Sequence, residues 1–219
     1  MSIHLVYSGT IDKQKGGIAI FRAAFASQLC IIIKQNKKAM LKTEFKVPTK
    51  TTVSEENKAI LEKIEASVGF IPNIFATYAL SNNALPRYTA FANGKTSLNN
   101  KEKEVVNLVV SQINGCSYCL AAHTAIGKMN GFSDNEILEI RKGKALFHPK
   151  FDALAKFSKS VLESAGKIED QVLEDFFEAG YTQENLVDTL LAIGEKTITN
   201  MLHNITKVPV DFPEAAPLN

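Results

Sequence analysis

The chain has 219 residues, enough for one sizeable core, and carries 25 Lys and Arg against 23 Asp and Glu. A net charge of +2 leaves no electrostatic footprint for nucleic acid or an anionic membrane, so the expected partner is a small molecule or another protein. Three cysteines, two of them spaced as Cys-x2-Cys, fit a reducing, cytoplasmic compartment, where such a pair is catalytic or metal-binding more often than a structural staple.

Residues 1–42 differ in character from the rest. Gly16 to Ile33 is apolar apart from Arg22, Ser27 and Gln28, and lysines follow it. An Arg at mid-depth argues against both a membrane span and a signal peptide. The expectation is an atypical N-terminal extension, even a stretch upstream of the true start, since Met40-Leu41-Lys42 would begin the chain naturally. Residues 43–219 are expected to form a single all-α domain.

Helical grammar begins at Ser54, an N-cap followed by Glu55 and Glu56, with Ile60, Ile64 and Val68 at helical spacing before Gly69. Pro72 suits the first turn of a second helix, and a third runs from Ala84 to about Lys95. Asn99 or Asn100 caps a fourth, whose Val105, Val106, Leu108, Val109, Val110 and Ile113 are apolar nearly all round, the mark of a central helix. Asn114-Gly115 breaks it, and a Cys-bearing helix continues to Asn130-Gly131. Ser133 opens a short helix and His148-Pro149 a long one. Segments Ile168 to Ala179 and Thr182 to about Thr206 follow, then an extended strap holding three prolines. No stretch after residue 50 alternates with the period of a strand.

Chemistry concentrates between Glu104 and His123. On a helix, Cys116, Cys119 and His123 share one face. Asn114-Gly115 puts Cys116 in the first turn, where free amides and the helix dipole favour a thiolate. His123 is one turn beyond Cys119 and within reach of its proton. If the flanking helices fold back at Asn114-Gly115, Glu104 and His123 come to similar depth, within about 3 Å along the axis, and the buried carboxylate gains an imidazole partner. Cys119 is nearer this base, and Cys116 nearer the helix end and solvent, so Cys119 is favoured as the activated thiol. His203, with Asn200 and Asn204, could line the same pocket, or simply meet carbonyls at a helix C-terminus. A zinc site using His148 or His203 is the rival reading, but no second ligand pair accompanies the cysteines. A thioredoxin arrangement needs strands, and the flanks here are helical.

The pattern Glu104-x11-Cys116-x2-Cys119-x3-His123 resembles the signature of the alkyl hydroperoxidase D-like proteins of the carboxymuconolactone decarboxylase superfamily. Lys103 to Leu108, Ala121 to Thr124, Gly69 to Asn73 and Asp211-Phe212-Pro213 are similar to its peroxidase-related branch. The resemblance implies an all-helical fold assembling as homo-oligomers, trimers or hexamers. It also implies a thiol-dependent reduction of organic hydroperoxides or hydrogen peroxide, reset by a dithiol or protein reductant. Cys116, Cys119, His123 and Glu104 would be catalytic, with neither cofactor nor metal. One departure stands out: the best-known members carry a His between the cysteines, proposed to join the proton relay, where this chain has Tyr118, and a phenol of pKa near 10 is a poor shuttle at neutral pH. A redox-sensing helical oligomer without turnover is the alternative.

Overall fold

In the computed structural model, which describes residues 45–218, the Ser54 side chain accepts from the Asn57 amide and opens α1 (Glu55–Val68). Gly69, at φ 90°, closes it, its backbone N–H donating a hydrogen bond to the Glu65 carbonyl. α2 (Asn73–Tyr78) follows Pro72, and α3 (Ala84–Ala92) follows Asn83. α3 stops short of Lys95 because Asn93 and Gly94 turn the chain back onto the carbonyls of Thr89 and Phe91. The readings made for residues 1–42 lie outside the described residues.

The next helices are α4 (Asn100–Ile113), α5 (Ser117–Met129) and α6 (Asp134–Arg141), then α7 (Pro149–Ser164), α8 (Asp170–Glu178) and α9 (Gln183–Thr206). Reciprocal capping boxes start three of them: Asn99 with Glu102 for α4, Ser133 with Glu136 for α6, and Thr182 with Asn185 for α9. No strand occurs among the described residues. The class is all-α.

α4 is the axis of the fold. It packs against α5, α6, α7 and α9, which explains why Val105, Val106, Leu108, Val109 and Val110 are all buried. On one side, α4 joins Phe151, Leu154, Phe157, Phe176 and Tyr181 in the larger core. A second cluster gathers Leu61, Ile74, Tyr78, Leu85 and Tyr88 around Cys116, Tyr118 and Cys119. Each such aliphatic or aromatic side chain contributes about 1.5–3 kcal/mol on burial, so the cysteines are part of a hydrophobic core. Gly127 brings α5 close to α6, since a Cβ there would stand 3.4 Å from Ile137 Cδ1.

After Lys207 the chain runs without helix to residue 218. Asn73 binds this segment twice, its amide donating to Asp211 Oδ2 at 2.6 Å and its side chain to the Pro209 carbonyl at 3.1 Å. Arg141 donates to the Ala216 carbonyl at 2.6 Å. Among the described residues, no helix is long and apolar enough to cross a membrane.

Candidate active site

The site begins with the turn between α4 and α5. Gly115 takes φ 62°, in the left-handed region, and the Cys116 amide bonds back to the Ser111 carbonyl at 3.0 Å. The chain thereby reverses and Cys116 becomes the N-cap of α5, its Sγ accepting from the Cys119 amide at 3.3 Å.

Reversal also pairs the two arms. Glu104 Oε2 on α4 lies 2.8 Å from His123 Nδ1 on α5, and Asn107 donates to the other carboxylate oxygen at 3.0 Å. Both partners are buried. Burial alone would raise the Glu104 carboxyl, but His123, Asn107 and the charge of Lys196 outweigh it, and the net shift is downward. An ionised carboxylate only accepts, so Nδ1 of His123 carries the hydrogen and Nε2 is the nitrogen left for chemistry.

The sulfurs of Cys116 and Cys119 lie 2.7 Å apart and share a hydrogen bond. Of the two, Cys116 also receives an amide N–H. Its thiol is held down to about 5, chiefly by the hydrogen bond with Cys119; burial opposes this and His203 reinforces it. The Cys119 thiol is pushed up, first by that same bond and then by burial. Thiolate character therefore falls on Cys116. The preference for Cys119 as the activated thiol does not match this charge distribution, because local spacing could not show an influence on Cys116 that comes from a distant helix. Nor is Cys116 the more exposed of the two: it is 0% and Cys119 2% accessible.

That helix is α9. Lys196, Thr199, Asn200 and His203 recur at helical spacing on its buried face. Asn200 links to α4 and the turn, accepting from Asn114 at 3.0 Å and donating to Ser111 Oγ at 3.3 Å. Thr199 joins the stacked rings of Tyr78 and Tyr88 through their hydroxyls, and Tyr88 donates to Glu195. Lys196 stands 3.6 Å from Glu195 Oε2, and its charge acts on both Glu104 and Cys119. His203 holds the Val208 carbonyl at 3.1 Å through Nε2, and is raised by Cys116 first, against burial. Sequence reasoning anticipated His203 and Asn200 in part and missed Lys196, Thr199 and the contacts they make. Their signal was a polar stripe of helical period within α9.

Tyr118 turns away from proton chemistry. Its hydroxyl donates to Asp211 Oδ1 at 2.5 Å and accepts the Ile74 amide at 3.3 Å. Burial and Asp211 both push its ionisation further up. Its ring packs against His203 and Phe212.

A cavity of about 890 Å³ opens on the other flank, lined by Tyr88, Phe91, Glu104, Asn107, Glu195 and Lys196 among others. Among the described residues, no group of three or more His, Cys, Asp and Glu side chains is arranged to hold a metal ion. His148, one of the two histidines considered for zinc, is instead the N-cap of α7 and stacks on Phe151.

Residues 82–157, which include all four signature residues, match the carboxymuconolactone decarboxylase family. A comparison with curated proteins finds no match. The fold is similar to the alkylhydroperoxidase AhpD core of an uncharacterized peroxidase-related protein from Ralstonia eutropha JMP134, at TM-score 0.70 and 21% identity over 77% of this chain and 92% of that one. An uncharacterized peroxidase-related protein from Silicibacter sp. TM1040 superposes at TM-score 0.67 and 23% identity, covering 81% and 96%. The debrominase Bmp8, as a cysteine-to-alanine variant in complex with 2,3,4-tribromopyrrole, gives TM-score 0.64 at 12% identity, covering 78% and 93%.

Proposed function

We propose that the protein, whose residues 82–157 match the carboxymuconolactone decarboxylase family, is a thiol-dependent peroxidase working by a Cys116 and Cys119 dithiol cycle. The observation that carries this reading is the buried sulfur pair at 2.7 Å, with thiolate character on the cysteine at a helix N-terminus. Cys116 attacks the peroxide and becomes a sulfenic acid. Cys119 then captures it as a disulfide, and a dithiol or protein reductant resets the pair. His123, held by Glu104, serves as the base for the Cys119 proton during capture. Tyr118 has no part in proton transfer. The active form is a homo-oligomer.

Peroxide consumption with a dithiol reductant tests this. The wild type should turn over, and a Cys116→Ser, Cys119→Ser double variant should not; equal rates remove the enzyme. Trapping in single variants assigns the order, with the sulfenic acid expected on Cys116 in the Cys119→Ser protein.

One observation favours a second reading. Both sulfurs are almost wholly enclosed, which suits a redox-responsive oligomer whose packing changes when the disulfide forms. That protein would oxidise stoichiometrically without multiple turnovers.

A further inference from the structure

We propose that the cavity beside Glu104 is a binding site for an amphipathic organic carboxylate, with its anionic head on Lys196 and its apolar chain along Phe91, Ile126 and Ala192. This goes beyond the peroxidase reading and does not rest on it. Residues of α3, α4, α5 and α9 line the cavity, and neither Cys116 nor Cys119 is among them. At about 890 Å³ it has the size of a small-molecule site, roughly 300–1,000 Å³.

Lys196 points to a charged ligand. It lines the cavity yet is only 6% exposed. Its ion-pair partner among the described residues, Glu195 Oε2, stands 3.6 Å away, outside hydrogen-bond range. An ammonium has three N–H donors, and burying it without hydrogen bonds is costly, so these donors call for an acceptor from outside the chain. The carboxylates of the cavity wall are engaged elsewhere. Asp188 accepts the Ser97 amide at 2.5 Å, Glu195 accepts from Tyr88, and Glu104 holds His123 and Asn107. Lys95 and Lys103 also line the cavity, and among the described residues neither is in an ion pair. The groups left without partners are cations, and their complement is an anion.

The rest of the wall decides what kind of anion. Tyr88, Phe91, Ile126 and Ala192 give it aromatic and aliphatic surface, and Phe91 is 41% exposed. An inorganic anion on Lys196 would leave that surface in water. A carboxylate on an alkyl chain covers it while its head reaches the ammonium, so hydrophobic burial and a charge-assisted hydrogen bond act together.

The chain contains no Trp, so Phe91→Trp places a single fluorescent reporter in the cavity wall. Titration of that full-length protein with decanoate should give a saturable change in emission. Decan-1-ol, equal in length but uncharged, should bind about 10–100-fold more weakly, the range of one hydrogen bond to a charged group. Adding Lys196→Met should weaken decanoate by a similar factor, and Lys196→Arg in its place should restore most of the affinity. Inorganic phosphate should leave the emission unchanged. The proposal is overturned by the absence of a saturable change, by equal binding of acid and alcohol, by phosphate matching decanoate, or by decanoate binding that Lys196→Met does not alter. The comparison of acid with alcohol needs no substitution at Lys196, so it decides the matter even where Lys196→Met fails to fold. Peroxide turnover enters none of these readouts, so the loss of this site and the loss of the peroxidase are seen separately.

Discussion

The Tyr118 hydroxyl donates to Asp211 Oδ1 at 2.5 Å, tying the residue between the two cysteines to the segment that follows the last helix. The other oxygen of Asp211 holds the Asn73 amide at the start of α2. One carboxylate therefore fastens three parts of the chain around the dithiol. Tyr118→Phe leaves that carboxylate and the Ile74 amide short of a partner, and should cost about 1–3 kcal/mol of stability while the folded protein keeps its peroxide turnover. Urea unfolding and a steady-state assay check this. A folded variant without turnover would return Tyr118 to the proton path.

Glu104→Gln separates charge from shape. The carboxylate is buried and its folded pKa lies below the unfolded one, so its stabilisation is fully present above the unfolded value near 4.5 and is lost as pH falls through the folded value. The variant keeps an acceptor for His123 but no charge. At neutral pH it should be less stable by about 1–3 kcal/mol, and the gap should close in acid. Melting temperatures across pH measure it; a gap that persists in acid would mean that the ionised carboxylate is not what stabilises the pair.

What could be read from the sequence, and what could not, follows the same divide. Glu104 and His123 flank a tight reversal, so counting 1.5 Å per residue along each arm was enough to pair them. The caps at Ser54, Asn99, Ser133 and Thr182 are local chemistry and were legible for that reason. The packing of His203 against Tyr118 was not: the two are far apart in the chain, and their meeting depends on how α9 crosses α5. The burial of Cys116 was hidden too, since a helix N-terminus is usually wet and here α1, α2 and α3 cover it.

Gly115 gives a test free of steric complication. It sits at φ 62°, and a Cβ added there meets nothing within 4 Å. Gly115→Ala should therefore cost only the left-handed strain, about 1–2 kcal/mol, with the dithiol still able to close. Thermal melting and the rate of disulfide formation by a mild oxidant are the measurements. A loss several times larger would show that the turn carries contacts beyond its backbone.

α9 is inside-out for a helix of a lone domain. Its buried face holds Thr189, Lys196, Thr199, Asn200, His203 and Thr206 beside a single buried aliphatic, Ile193, while Val187, Leu190, Leu191, Ile198, Met201 and Ile205 face outward. Val187, Leu191, Ile198, Met201 and Ile205 keep the alternating spacing of a heptad seam, with Gly194 in the remaining slot. Met201 is 57% and Ile205 71% exposed, and a continuous stripe of this kind is what one copy would bury against another. Ile198→Asp with Met201→Asp should reduce the assembled mass measured by light scattering while leaving the helical circular dichroism intact, because neither side chain is enclosed within its own chain. An unchanged mass in that variant, or a wild type already at the mass of one chain, would end the case for assembly through this helix.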